Sequence, residues 1–541
     1  MGEDAAGKFP QGVEYTAREG GVPLKWDRTS VRYGTLLLTV SGLVNQLLGF
    51  VYRILLSRLV GAEVMGLYQL VMPVFSVLLS VTAVGLTAAV ANLTAQYRAL
   101  GRETAAEQVL GRCLGLLLCL LVLPALAIFV LSDPISVHIL GDARTRLGLL
   151  LLPPCVLLTG VENLHKHAFY GAGLVRPPAF SEVLEQVVRT CAVLGLLLLF
   201  LPQNPERTVG LIVAGMVICE VCSACTLTLL WRRRRGAGGT PEPGKVLDRR
   251  IAQVALPVAC TALLGNLMGS ACAVLIPQKL VEGGMEVSQA VSAFGVMFGM
   301  TLPMLSLPTA FVSAMGLVLM PRLSRAAALG RWEEVRRRVS AAMLAASVLM
   351  LPAMALLSVL GPDLAVRLFQ EPEAGACLPP LAVMVALSCW RSVLSCALNG
   401  VDRQAAAARN ALLAGAAELL LTALTVGIPG VGLQGYVAAA LASELLGLGL
   451  NLVSLCRAAG LRPAWFRWLV APGLSALLMG LDVNLLFRVL RDRGLSEAVS
   501  GGICLLFGAV VYLAALSAQG ISFRGLLGLE KKRVCRRGGT W

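Results

Sequence analysis

Three arginines, Arg53, Arg189 and Arg391, sit inside long apolar runs of the chain. A charge at mid-bilayer depth costs about 2.5–3.5 kcal/mol on insertion scales, so each calls for an explanation. Each belongs to a polar stripe with helical spacing. Thr39, Gly42, Gln46, Gly49 and Arg53 recur every three or four residues. Glu182, Glu185, Gln186 and Arg189 fall at i, i+3, i+4 and i+7, so Glu185 can pair with Arg189 one turn later. Ser388, Arg391, Ser392, Ser395 and Asn399 share a third face. A guanidinium stays charged at any depth and offers phosphate two parallel N–H donors. A cavity lined by the three arginines with Gln46, Glu182, Glu185, Ser388 and Ser395 suits an anionic substrate such as a pyrophosphate-linked lipid. Quieter readings stand beside it. Gly42 and Gly49 suit helix packing, Arg53 is close enough to the end of its run to snorkel, and Glu185–Arg189 reads equally as a structural ion pair. Glu220, Glu418, Glu444 and Asp482 read as single packing or hydrogen-bonding residues.

Other chemistries lack their residues. The sequence has no GxxxxGK[ST] phosphate loop and no HExxH. His165 and His167 are two apart, hence on different faces of a helix. Cys219, Cys222 and Cys225 have metal-like spacing but no histidine nearby, and the cysteines read as small buried hydrophobes. No metal, no cofactor and no catalytic group is expected, and the chain does not read as an enzyme.

The elements that must carry the stripes follow from composition. Of 541 residues, 57% are hydrophobic and only 14% charged, against about 25% charged in soluble domains. That excludes a soluble enzyme, a disordered chain and a coiled coil, and the unbroken apolar runs argue against a membrane barrel. An all-α polytopic membrane protein is expected. Fourteen apolar segments are legible, at 34–56, 65–91, 109–131, 147–164, 179–201, 209–231, 251–276, 290–320, 339–360, 378–398, 405–428, 431–455, 465–487 and 499–517. The first 33 residues are polar and Gly-rich, with no signal-peptide pattern. The net charge of +15 reads as a topology signal rather than a nucleic-acid footprint. With both termini in the cytoplasm, 34 of the 46 Lys and Arg residues fall in or at the edges of cytoplasmic segments and nine in outer loops.

The chain also carries a copy of itself at an offset of 229 residues. Ala99–Arg102 (ALGR) repeats at Ala328–Arg331, Gly66 falls on Gly295, and Gly171 falls on Gly400. Six segments per copy make this a parallel repeat about an axis along the membrane normal. The same offset sets Arg391 on Glu162, which suggests that the two pair across the copies. The expected division is a cytoplasmic segment 1–33, an N-lobe 34–231, a linker 232–250, a C-lobe 251–457, two further helices in 458–520 and a basic cytoplasmic tail 521–541. The linker, rich in Gly, Pro and charge, reads as flexible. Pro321–Arg338 reads as an amphipathic helix on the inner membrane face.

The stretch Leu36–Leu93 and the stretch Phe169–Arg189, FYGAGLVRPPAFSEVLEQVVR, resemble the stage V sporulation protein B family. That family lies in the multidrug/oligosaccharidyl-lipid/polysaccharide flippase superfamily. The resemblance runs from about Ser30 to about Gly520 and is most specific in the first 190 residues. It implies two six-helix lobes around a V-shaped cavity, with two extra C-terminal helices. It implies transport of a lipid-linked sugar or peptidoglycan precursor of the lipid II type by alternating access, and a role in the spore cortex. The expected partners are that lipid-linked anionic sugar, membrane lipids and cell-envelope synthesis proteins, with no nucleic acid. A multidrug or cation antiporter needs membrane carboxylates. The first segment has none, whereas Glu182 and Glu185 keep that alternative open. A non-transporting envelope-assembly scaffold is the third reading.

Overall fold

The structure, a computed structural model, describes residues 31–521 apart from 201–203, 235–237 and 495. The expected basic tail and nearly all of the N-terminal segment lie outside the described residues. The first two apolar segments form one run: α1 (Val31–Leu79), a π turn at Ser80–Val84 and α2 (Gly85–Ala99). At 63 residues, Leu37–Ala99 would extend roughly 95 Å, three times the hydrocarbon core. It cannot be one straight pass. Gly61, with φ 78°, breaks it in a conformation that costs other residues strain.

Next come α3 (Glu103–Pro134), α4 (Arg146–Leu150), α5 (Leu152–Gly171), α6 (Arg176–Leu199) and α7 (Pro205–Arg232). The second half holds α8 (Gly244–Glu282), α9 (Val287–Phe294), a π turn at Gly295–Thr301, α10 (Leu302–Ser306), α11 (Thr309–Ala328), α12 (Trp332–Phe369), α13 (Leu378–Gly400), α14 (Gln404–Thr425) and α15 (Leu433–Ala459). Last are α16 (Ala471–Asp492) and α17 (Glu497–Ala518), which pack on α12 through Met479, Val483 and Tyr512, whose hydroxyl donates to Val348 O at 3.0 Å. No strand occurs among the described residues. Large apolar side chains on α3, such as Leu123 at 74% exposure, face outward as lipid-facing residues do.

Eleven helices are long and apolar enough to cross a membrane, twelve if the 43° bend between α4 and α5 lies within one span. Fourteen were expected. With the bent pair counted as one span, the difference has two sources. The first two segments share one helical run broken only at Gly61, and α6 carries Glu182, Glu185 and Arg189, too much charge to qualify on apolarity.

Two other expectations are corrected. Pro321–Arg338 is not one amphipathic helix. It is the end of α11, a tight turn and the start of α12. Gly330 at φ 67° ends α11, its N–H on Ala327 O and that of Arg331 on Ala326 O, each 2.9 Å. The linker is not a free tether either. α8 already begins at Gly244, and the preceding residues are pinned: the Arg102 guanidinium donates to Thr240 O and pairs with Glu242 at 2.6 Å.

Landmarks at the 229-residue offset meet in space. A Cβ added to Gly66 would lie 2.0 Å from Val291 O, and one added to Gly295 would lie 2.2 Å from Ala62 O. Ala62 and Val291 are themselves one offset apart, so the contact is reciprocal, as across a two-fold axis. Gln69 Nε2 donates to Phe298 O at 3.3 Å, again 229 residues away. Gly171 abuts Ala91 O as Gly400 abuts Met320 O. Gly101 and Gly330 take φ values of 70° and 67° at matching turns.

Candidate functional site

A cavity of about 400 Å³ opens where α1, α6, the Gly295–Thr301 turn and α10 converge. The α1 stripe supplies Asn45, Gln46, Gly49, Tyr52 and Arg53, with Met65 and Tyr68 from beyond the break. α6 supplies Gln186 and Arg189, and the second half supplies Phe298 and Ser306. Gln46 Nε2 donates to Ser306 Oγ at 3.1 Å and joins the two halves. Three of the expected site residues, Gln46, Arg53 and Arg189, are thus brought together. Gly49 faces α6 across this stripe, with Gln186 Nε2 3.8 Å from where its Cβ would stand, an ordinary contact distance.

The electrostatics are uneven. Arg53 has no ion-pair partner among the described residues. Arg189 is anchored: its guanidinium donates to Glu185, one turn back, and to Glu220 Oε1 on α7 at 3.3 Å. Lys166 on α5 extends the network, 2.9 Å from Glu162 and 3.2 Å from Glu185. Ser223 donates to Glu162, and Ser181 closes the group beside Ser223 at 2.6 Å. Three carboxylates therefore share two cations behind the cavity wall. Glu185, Cys219 and Glu220 bring one donor atom each within 4.8 Å of one another. The Arg189 guanidinium already serves two of the three, so the cation at that point is the protein's own.

Asn45 Oδ1, Tyr52 Oη and Arg189 Nε are buried with no hydrogen-bond partner. All three residues line this cavity. Buried polar atoms are nearly always paired, and these three stand in the wall of one space.

The remaining expected residues lie elsewhere. Arg391 does not meet Glu162. It makes a two-pronged pair with Glu444 on α15, Nε to Oε2 at 2.5 Å and Nη2 to Oε1 at 3.0 Å. Gly447 leaves room for it, since a Cβ there would lie 2.6 Å from Arg391 Cδ. An acid on the facing helix captures the guanidinium, while Glu162 is held by Lys166 within its own helix. Ser388 and Ser395 are partly buried on α13, away from the cavity. Glu182 accepts from Tyr170 Oη at 3.3 Å rather than lining the space. Sequence reasoning passed over Lys166, although its i, i+4 spacing from Glu162 was legible. It also passed over Tyr52, Tyr68, Phe298 and Ser306, which only the assembled fold brings together.

Comparison with known proteins agrees with this architecture. Residues 31–327 match the family model described as polysaccharide biosynthesis protein. The chain is 26% identical over 435 residues to stage V sporulation protein B of Bacillus subtilis (strain 168), covering 79% of this chain and 82% of that protein. It is 24% identical over 403 residues to the lipid II flippase MurJ of the same organism, covering 69% and 73%. Among solved structures, lipid II flippase MurJ in an inward closed conformation superposes with a TM-score of 0.68 at 12% identity, covering 91% of this chain and all of that one. An inward-facing multidrug resistance MATE family transporter of the MOP superfamily gives 0.63 at 16% identity, covering 78% and 98%. The family match spans more than half of the chain, and the fold is that of polytopic all-α transporters: the chain belongs to the polysaccharide biosynthesis protein family.

Proposed function

We propose that this protein is a flippase that moves a lipid-linked oligosaccharide or a peptidoglycan precursor of the lipid II type across the cytoplasmic membrane. The observation that carries the proposal is the cavity between the halves. It is lined by Arg53, which has no ion pair among the described residues, by Arg189, and by Asn45 and Tyr52, each with a buried polar atom that lacks a partner among them. Guanidinium donors lining a cavity between membrane-spanning helices fit a pyrophosphate better than a neutral or cationic drug. The relatives named for lipid II flipping and for sporulation support the substrate class and a setting in spore cortex synthesis. The lobes of the proposal are residues 34–231 and 251–457, with both termini cytoplasmic. About 400 Å³ is near the low end of small-molecule pockets, roughly 300–1,000 Å³. A whole sugar headgroup exceeds it, so the lobes must part during transport, and the reciprocal Gly66–Gly295 contact is where they would hinge or slide.

A second reading, cation-coupled antiport, is favoured by one observation: Glu162, Glu185 and Glu220 outnumber Lys166 and Arg189 in a buried network. Flipping of fluorescent lipid II by the purified protein in liposomes separates the two. Lipid II movement that stops in Arg53→Ala supports the flippase. Efflux of a cationic dye driven by an ion gradient, with no lipid II movement, supports the antiporter.

A further inference from the structure

A second cavity, of about 1010 Å³, lies apart from the one between the halves. It lies where the first turns of α12, the connection after α15 and the turn into α16 meet, and Arg336, Arg337, Arg462 and Arg467 line it. Its one carboxylate, Glu333, is taken by Arg336 at 2.5 Å. Arg337, Arg462 and Arg467 are exposed and have no ion pair among the described residues. Leu461 and Trp468 form a buried apolar floor, and Trp468 Nε1 is tied to Ser340 Oγ at 2.8 Å. Trp465 and Phe466, more than half exposed, stand beside it. Scattered basic residues at a membrane surface are ordinarily just solvated. Four converging on one cavity with an aromatic rim need more than solvation as an account.

The internal repeat supplies that account. Arg336 and Arg337 fall, at the same offset, on Glu107 and Gln108 of α3. In that first copy the equivalent groove is filled by the chain itself. Gly238 O accepts from Thr104 N at 3.0 Å, Glu242 N donates to Gln108 Oε1 at 2.9 Å, and the Glu242 carboxylate sits on Arg102. In the second copy the connection from α15 to α16 is short, no carboxylate-bearing segment enters among the described residues, and arginine replaces the acid and the amide. Where one copy carries its own anion, the other presents cations to an anion from outside.

We propose that this cavity binds the phosphate of an anionic glycerophospholipid headgroup. The phosphate lies among Arg337, Arg462 and Arg467, and the acyl chains run along the exposed apolar surface of Phe466, Leu469 and Val470. Arginine suits this role because its fork matches phosphate oxygens, and the tryptophan rim suits the headgroup depth of a bilayer. The site is independent of the transport substrate, so it stands whichever lipid or drug is moved.

The test uses the full-length protein purified in phosphatidylcholine nanodiscs and titrated with phosphatidylglycerol, with retained lipid read by native mass spectrometry. Wild type is expected to retain phosphatidylglycerol over phosphatidylcholine. Replacing Arg337, Arg462 and Arg467 by Gln is expected to lower that preference by about 5-fold for each arginine removed. The same residues replaced by Lys keep most of it, and Gln at Arg488, Arg491 and Arg493 leaves it unchanged. No preference in wild type, or equal preference in the Gln triple variant, overturns the proposal. So does inorganic phosphate binding as tightly as the lipid, which marks a site for free anions. If the Gln variant does not fold, the wild-type lipid comparison and the Lys variant still decide.

Discussion

Arg53 and Arg391 look alike in sequence and differ in what their loss leaves behind. Arg391→Ala strands Glu444, which is partly buried and holds both of its oxygens on that guanidinium. Breaking a fully buried pair from one side costs roughly 3–5 kcal/mol, and this partly exposed pair costs less than that. The expected outcome is a lower melting temperature in detergent, largely restored by adding Glu444→Gln. An Arg391→Ala protein that melts like wild type would show the pair to be dispensable. Arg53 holds no acid among the described residues, so Arg53→Ala should change stability by about 0.5 kcal/mol or less while abolishing lipid II flipping. Arg53→Lys should recover part of the activity, because the charge stays and the planar fork goes. Stable, fully active Arg53→Ala protein would remove the anionic-substrate argument. The stripes were legible in the sequence because helical spacing alone says which residues share a face. Of their partners only Glu185, one turn from Arg189, was legible; Glu444 and Glu220 reach the arginines from other helices and no local pattern announces them.

At the scale of elements, the glycine contacts make the sharpest demand. The α1 segment around Gly66 and the segment around Gly295 approach until each glycine touches the other's backbone. A methyl group at Gly66 would stand 2.0 Å from a carbonyl oxygen, and backbone cannot swing aside as a side chain can. Gly66→Ala and Gly295→Ala are each expected to cost about 1–3 kcal/mol or more, read as a fall in melting temperature and in the yield of monodisperse protein. Gly49→Ala is the matched control, since its nearest neighbour is a flexible Gln186 side chain at 3.8 Å. Equal melting of Gly66→Ala and Gly49→Ala would mean that the halves do not pack this closely in the membrane. Apolar runs and repeated glycines showed these elements in advance. The break at Gly61, the π turns at Ser80–Val84 and Gly295–Thr301 and the turn at Gly330 were hidden. Each depends on backbone geometry that hydropathy averages away.

For the whole molecule, orientation is the quantity that every other proposal borrows. The basic residues fall mainly at one set of helix ends: Arg98 and Arg102 at the α2–α3 turn, Arg232–Arg234 after α7, Arg322–Arg338 around the α11–α12 turn, and Arg457–Arg467 between α15 and α16. Basic loops are retained on the cytoplasmic side. That end should also carry the arginine-lined cavity, where an anionic inner leaflet would supply its lipid. The α2–α3 turn and the segment after α7 are in contact, through Thr104 and Gly238 and through Arg102 and Glu242, so they must lie on one side whatever the total number of passes. A single-cysteine probe at Thr240 alone tests less than two probes do. One at Thr240, exposed before α8, and one at Met285, exposed after it, stand at opposite ends of a 39-residue helix. In intact cells an impermeant thiol reagent is expected to label Met285→Cys and to spare Thr240→Cys until the membrane is opened, with the native cysteines replaced. Labelling in the reverse pattern would invert the protein and place the lipid cavity on the outer leaflet. Labelling of both would show that α8 does not cross the bilayer, and would falsify the lobe arrangement on which alternating access depends.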